Sequence, residues 1–154
     1  MGTGSMKHFI AHRGNIDGPN KLLENTPEYI DQAISRGFDA EIDVWCVKGK
    51  LYLGHDYPQH PIISEFLLER SNKLWCHAKN LEAMIYLKKN NLHFFSHDKD
   101  EYILTSKSYI WAYIGKPINS EVICVMPELG KYTQDDISNC RGICSDYIFN
   151  YSNL

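Results

Sequence analysis

The chain has 154 residues, 44% of them apolar and 12% aromatic, and a formal net charge of −3. This composition supports a packed core and excludes a disordered polar chain, and the size fits one domain of about 100–150 residues. The lack of a basic run argues against nucleic acid as a partner, so an anionic ligand would have to be drawn in by local groups.

In chain order, residues 7–12 read as a first strand. Thr26 is an N-cap with Pro27 at the first helical position, Ile30, Ala33 and Ile34 form an apolar stripe, and Gly37 ends the helix. Residues 38–46 form the next strand. Val47-Lys48-Gly49-Lys50 then turns into Leu51-Tyr52-Leu53, a hairpin extension that carries His55 back over the strand ends. A helix follows over 62–71, and Leu74-Trp75-Cys76 begins a third strand. Asn80 caps a helix that carries Leu81, Met84 and Ile85 and ends in Lys88 and Lys89. Further strands read over 92–96, 109–114, 122–125 and 143–148, with 103–104 as a short eighth run and a polar helical stretch over 133–139. Strands alternating with helical patterns predict βα units and a mostly parallel sheet.

Three segments carry the chemistry: Ile10-Ala11-His12-Arg13-Gly14, Ala40-Glu41-Ile42-Asp43-Val44 and Gly54-His55-Asp56. They set two histidines, an arginine and two carboxylates at or just after apolar strand-like runs, where open α/β sheets and barrels keep their active groups. Glu41 and Asp43 lie two apart, so on a strand both face one way and can share a hard cation. Arg13 offers a planar fork suited to phosphate oxygens. His12 and His55, with an unperturbed pKa of about 6.5, can take and give protons near neutrality. A phosphodiester asks for neutralised charge and two proton movements, so the set suggests metal-assisted phosphodiester chemistry. Taken singly, each histidine also reads as a cap or core residue, and the acidic pair as solvated carboxylates.

With Glu24-Asn25-Thr26 between them, these segments resemble the glycerophosphodiester phosphodiesterase family, one of the phosphatidylinositol-phospholipase-C-like phosphodiesterases, over residues 8–56. The resemblance implies a barrel fold and hydrolysis of a small glycerophosphodiester-like substrate of lipid metabolism. It further implies His12 and His55 as acid and base, and Glu41 and Asp43 as ligands of a divalent cation, magnesium or calcium first. In the family the nucleophile can be the substrate's own neighbouring hydroxyl, which gives a cyclic phosphate that water then opens. The family commonly places a further carboxylate two residues before a lysine on the third strand, and here His77 stands before Lys79. His77 is then either a third metal ligand, which would let manganese or zinc compete, or a substrate contact beside two carboxylates and waters. Lys79 is expected on phosphate, and His97 and Trp111, at later strand ends, on the substrate. Glu128 and Asp146 are further candidates. His8, His60 and His93 read as surface or packing residues, and Trp45 and Trp75 as core. Two alternatives stay open: a catalytically degenerate barrel that binds a phosphorylated ligand, and a phosphodiesterase or lyase for sugar-phosphate or polymer-linked diesters. The second rests on Tyr57-Pro58-Gln59, which departs from the family pattern after Asp56.

A standard barrel takes about 250 residues. Eight units here would have roughly 19 residues each, against roughly 22 for an average strand, helix and two loops. The expectation is therefore a compact, reduced (β/α)8 TIM-type barrel with helices missing or shortened, most of all over 97–121. A flank exposed that way would be covered in a homodimer. Residues 1–5 read as an expression scar, leaving 6–154 as one domain. With no apolar run near the roughly 18 residues of a membrane span and no signal peptide, a cytoplasmic protein is expected. The five cysteines, an odd number without a Cys-x-x-Cys pair, read as free buried thiols.

Overall fold

The computed structural model describes residues 7–153; the scar expected at 1–5 lies outside the described residues. The strands are β1 (His8–His12), β2 (Asp39–Val47), β3 (Lys50–Leu53), β4 (His60–Ile62), β5 (Leu74–Ala78), β6 (Phe94–Phe95), β7 (Tyr102–Leu104), β8 (Ile110–Ala112), β9 (Val122–Val125) and β10 (Gly142–Ser145). The helices are α1 (Pro27–Ser35), α2 (Ser64–Glu69), α3 (Leu81–Lys89), α4 (Gln134–Asn139) and α5 (Ile148–Tyr151).

Seven strands run parallel, in the spatial order β6, β5, β2, β1, β10, β9, β8. Antiparallel additions flank them: β7 pairs with β8, β3 with the far half of β2, and β4 with β3. The nine residues of β2 thus serve three neighbours, which fixes where its middle residues point.

The expected (β/α)8 TIM-type barrel is not what forms. The ten strands make one mixed sheet that curls into a half-barrel, with five short helices that do not alternate regularly with the strands. The reason is chain length per connection. The stretches between β6 and β7 and between β8 and β9 hold no helix, and residues that a barrel would spend on helices go into the β3–β4 and β7 additions. Among the described residues, β6 and β8 share no ladder. Their Phe95 and Trp111 rings face each other at 4.5 Å, and Ser106 N donates to Phe94 O at 2.8 Å.

Strand parity divides the core. Ile10, Trp75, Phe95, Trp111, Ile123, Val125 and Cys144 pack inside the curl, while the alternate residues meet the helices outside. Against the outer face, Ile30 of α1 and Ala83 and Leu87 of α3 pack on Ile42, Val44 and Cys76. Thr26 Oγ1 accepts from Tyr29 N at 3.3 Å and caps α1, an interaction worth about 1 kcal/mol. Asn80 caps α3 and also accepts from Cys46 N at 3.3 Å and donates to Cys46 O at 2.9 Å, which ties that helix to β2.

Two expected elements keep their type but change their bounds. The helix expected over 62–71 begins only at Ser64, because His60–Ile62 pairs with β3. The strand expected over 143–148 ends at Ser145, and Ile148 buries as the first residue of α5; a short apolar run does not by itself distinguish strand from helix. The five cysteines are free and buried. No described helix is long and apolar enough to cross a membrane.

Candidate active site

Register builds the site. On adjacent parallel strands, His12 of β1 sits beside Glu41 of β2, and Asp43 of β2 beside His77 of β5, which in turn neighbours Phe95 of β6. All five side chains leave the inner face near the C-terminal ends of the strands. Just beyond β1, Arg13 (φ 56°) and Gly14 (φ 89°) turn the chain through the left-handed region. Gly14 is required there, since a Cβ would sit 2.9 Å from the Tyr29 ring. The turn sends the guanidinium back across the strand ends, where Arg13 Nη1 meets Glu24 Oε1 at 3.3 Å and Nε lies 3.5 Å from Asp43 Oδ2. His55 arrives on the hairpin behind Gly54, whose N donates to Asp43 O at 3.1 Å.

Glu41 and Asp43 are 3% and 1% exposed. Burial, then the nearby charge of Asp43, raises the Glu41 pKa. Asp43 goes the other way: burial opposes its charge, but the His55 and His77 rings and the Asn25 amide hold its carboxyl well below the usual range. Asn25, in the left-handed region at φ 63°, donates to Asp43 Oδ2 at 2.9 Å and accepts from Asp43 N at 3.0 Å. His77 Nδ1 lies 3.3 Å and Lys79 Nζ 3.9 Å from Asp43 Oδ1.

His12 Nδ1 donates to Asp146 Oδ1 at 2.7 Å, which turns Nε2 toward Glu41 Oε1 at 3.8 Å. Burial disfavours the charged ring, but the Asp146 hydrogen bond and the Glu41 carboxylate outweigh it and raise the His12 pKa above 6.5. Asp146 is lowered in turn, against its burial, chiefly by His12. The fully buried Asn15 donates to both Asp146 Oδ1 (2.9 Å) and Glu24 Oε2 (3.0 Å), joining the two carboxylates behind the site. His55 Nδ1 accepts from Arg13 Nη2 at 2.7 Å.

These groups open into a cleft of about 330 Å3 lined by His12, Arg13, Glu41, Asp43, His55, His77 and Lys79. Phe95, Trp111, Tyr113, Ile114 and Val125 add apolar and aromatic surface to it. A larger groove of about 550 Å3, beside β7 and β8, carries no carboxylate, imidazole or cation. His12, Arg13, Glu41, Asp43, His55, His77, Lys79, His97 and Trp111 all line the smaller cleft, whereas Asp146 lies behind His12 and Glu128 lies apart from the cleft, accepting from Ser145 Oγ at 2.8 Å. Trp111 is 3% exposed and serves as floor, and His97 lies at the rim with Nε2 on Asp100 O at 2.7 Å. His93 is a packing residue, bonded to Thr105 Oγ1 at 2.8 Å and, through burial, lowered to about 4.

Glu41, Asp43 and His77 each offer a ligand atom, all within 4.8 Å of one another, so this group could hold a metal ion. Around it, the carboxylates of Glu24, Glu41, Asp43 and Asp146 face Arg13, Lys79 and the proton-holding His12. Sequence reading missed Asn15, the amide of Asn25 and the role of Asp146. Asn25 stood within a quoted motif, whereas the pairing of Asp146 with His12 depends on β10 lying next to β1. Comparison of the chain with protein-family models, curated proteins and solved structures gives no match.

Proposed function

We propose that the chain is a metal-dependent phosphodiesterase related to the glycerophosphodiester phosphodiesterases, cleaving a small phosphodiester by two-histidine acid–base catalysis. The observation that carries this reading is the meeting of His12, His55, Arg13 and Lys79 around the two buried carboxylates Glu41 and Asp43, which with His77 could hold a metal ion. Carboxylates repel a phosphodiester unless a cation lies between them and the phosphate. Glu41, Asp43 and His77 would hold that cation, which when bound supplies positive charge to a phosphate oxygen.

Arg13 and Lys79 bind the remaining phosphate oxygens. As the Arg13 fork turns from His55 to the phosphate, His55 Nδ1 is freed to accept the proton of the attacking hydroxyl. His12, charged by virtue of Asp146 and Glu41, gives its Nε2 proton to the leaving alkoxide. Asn25 holds Asp43 in place, and Asn15 does the same for Asp146. Phe95 and Trp111, both buried, give the cleft an apolar floor.

A panel of glycerophosphodiesters and nucleotide-sugar-like diesters, assayed with and without chelator, tests this. Chelator-sensitive turnover of one class supports the reading and identifies the substrate. A second reading, binding of a phosphorylated ligand without turnover, is favoured by the 2.7 Å contact that ties up His55 Nδ1. Saturable binding of the same diesters with no product would select it.

A further inference from the structure

We infer that the cation site selects zinc over magnesium and calcium, because His77 supplies it with a nitrogen ligand. This rests on the proposed function only in taking the Glu41–Asp43–His77 group as the metal site.

Three observations carry the inference. First, Asp43 and His77 occupy paired positions on adjacent parallel strands, so their side chains leave the same face together, and Nδ1 already lies 3.3 Å from Asp43 Oδ1. Second, the His77 ring stacks on Phe95 at 5.0 Å and 20°. The imidazole is held edge-on to the carboxylates and does not swing away without losing that contact. Third, the charge of Asp43 is already shared by Arg13 Nε (3.5 Å), Lys79 Nζ (3.9 Å) and the Asn25 amide (2.9 Å). A hard cation, bound chiefly by charge and preferring oxygen, competes with those groups directly. A borderline cation gains a bond to nitrogen that neither Arg13 nor Lys79 offsets.

The test uses protein stripped with chelator and dialysed, titrated calorimetrically with zinc, manganese, magnesium and calcium chlorides. Pulsed electron paramagnetic resonance of the manganese-loaded protein then reads nitrogen coordination directly. Zinc is expected to bind at least about tenfold more tightly than magnesium, and manganese to show nitrogen modulation. His77→Gln should abolish the modulation, His12→Gln should keep it, and His77→Glu should narrow the zinc preference by strengthening magnesium binding.

Manganese binding without nitrogen modulation, or magnesium binding as tightly as zinc, overturns the inference. Either result leaves the phosphodiesterase reading standing, with His77 as a substrate contact. Failure of every cation to bind removes both. Should the His77 variants not fold, as judged by circular dichroism, modulation that persists in both His12→Gln and His55→Gln assigns the nitrogen to His77, and its loss in either overturns the inference.

Discussion

Replacing Asp146 by Asn removes the charge that His12 Nδ1 meets at 2.7 Å while nearly preserving shape. A hydrogen bond to a charged group contributes about 1.5–3 kcal/mol. The His12 pKa should therefore fall, and the variant should lose about 1.5–3 kcal/mol of stability where both groups are charged. Solvent screens little of this, since the two side chains are only 20% and 13% exposed. The raised His12 pKa gives stability that is fully present below its ordinary 6.5 and is lost as pH rises through the folded value. The lowered Asp146 gives stability present above its ordinary 3.8 and lost as pH falls through the folded value. The pair therefore stabilises most between those two ordinary values, and the Asn variant should lose that window. Proton–carbon NMR titration of the imidazoles reads the first effect, and urea unfolding at pH 5.5 and at pH 8.5 reads the second. A wild-type His12 titrating at or below 6.5, or one unmoved by the substitution, would refute the reasoning.

Three further outcomes follow from the same geometry. His12→Ala and His55→Ala should each lower kcat on a cleaved diester by about 10²–10⁴ with the fold intact by circular dichroism; near-normal turnover in either removes that residue's assigned role. Asn25→Ala deletes both bonds to Asp43 and leaves a non-glycine side chain at φ 63°, so it should destabilise by about 2–4 kcal/mol in urea, and a change near zero would contradict the structural role. Gly54→Ala puts a Cβ into the carbonyl oxygen of Tyr57; it should cost about 1–3 kcal/mol and lower turnover by displacing His55 while leaving the His12 titration unmoved.

The shared face of Glu41 and Asp43 was legible because strand parity alone sets it. The histidine, arginine and carboxylate segments likewise pointed to strand ends. Which strand lies beside which was not legible. Asp146 lies 134 residues from His12 and meets it only because β10 closes onto β1. The fold class misled for a related reason: parallel strands with reactive groups at their C-terminal ends are common to a full barrel and to a half-barrel. What separates them is the content of the connections near 96–101 and 113–121, where no helical period was present and none forms. The run 103–104 gave no hint of its antiparallel pairing with β8. The orientation of Arg13 rests on a left-handed backbone that a non-glycine residue rarely adopts, so its contact with His55 was outside the reach of pattern reading.

Phosphorus NMR of a glycerophosphodiester incubated with the metal-loaded protein tests the central claim most directly. A phosphomonoester resonance should grow with time, and neither chelator-treated protein nor the His12→Ala and His55→Ala variants should produce it at comparable rate. Diester that stays intact across the whole substrate panel, or product that forms equally with chelator or without both imidazoles, would contradict the account.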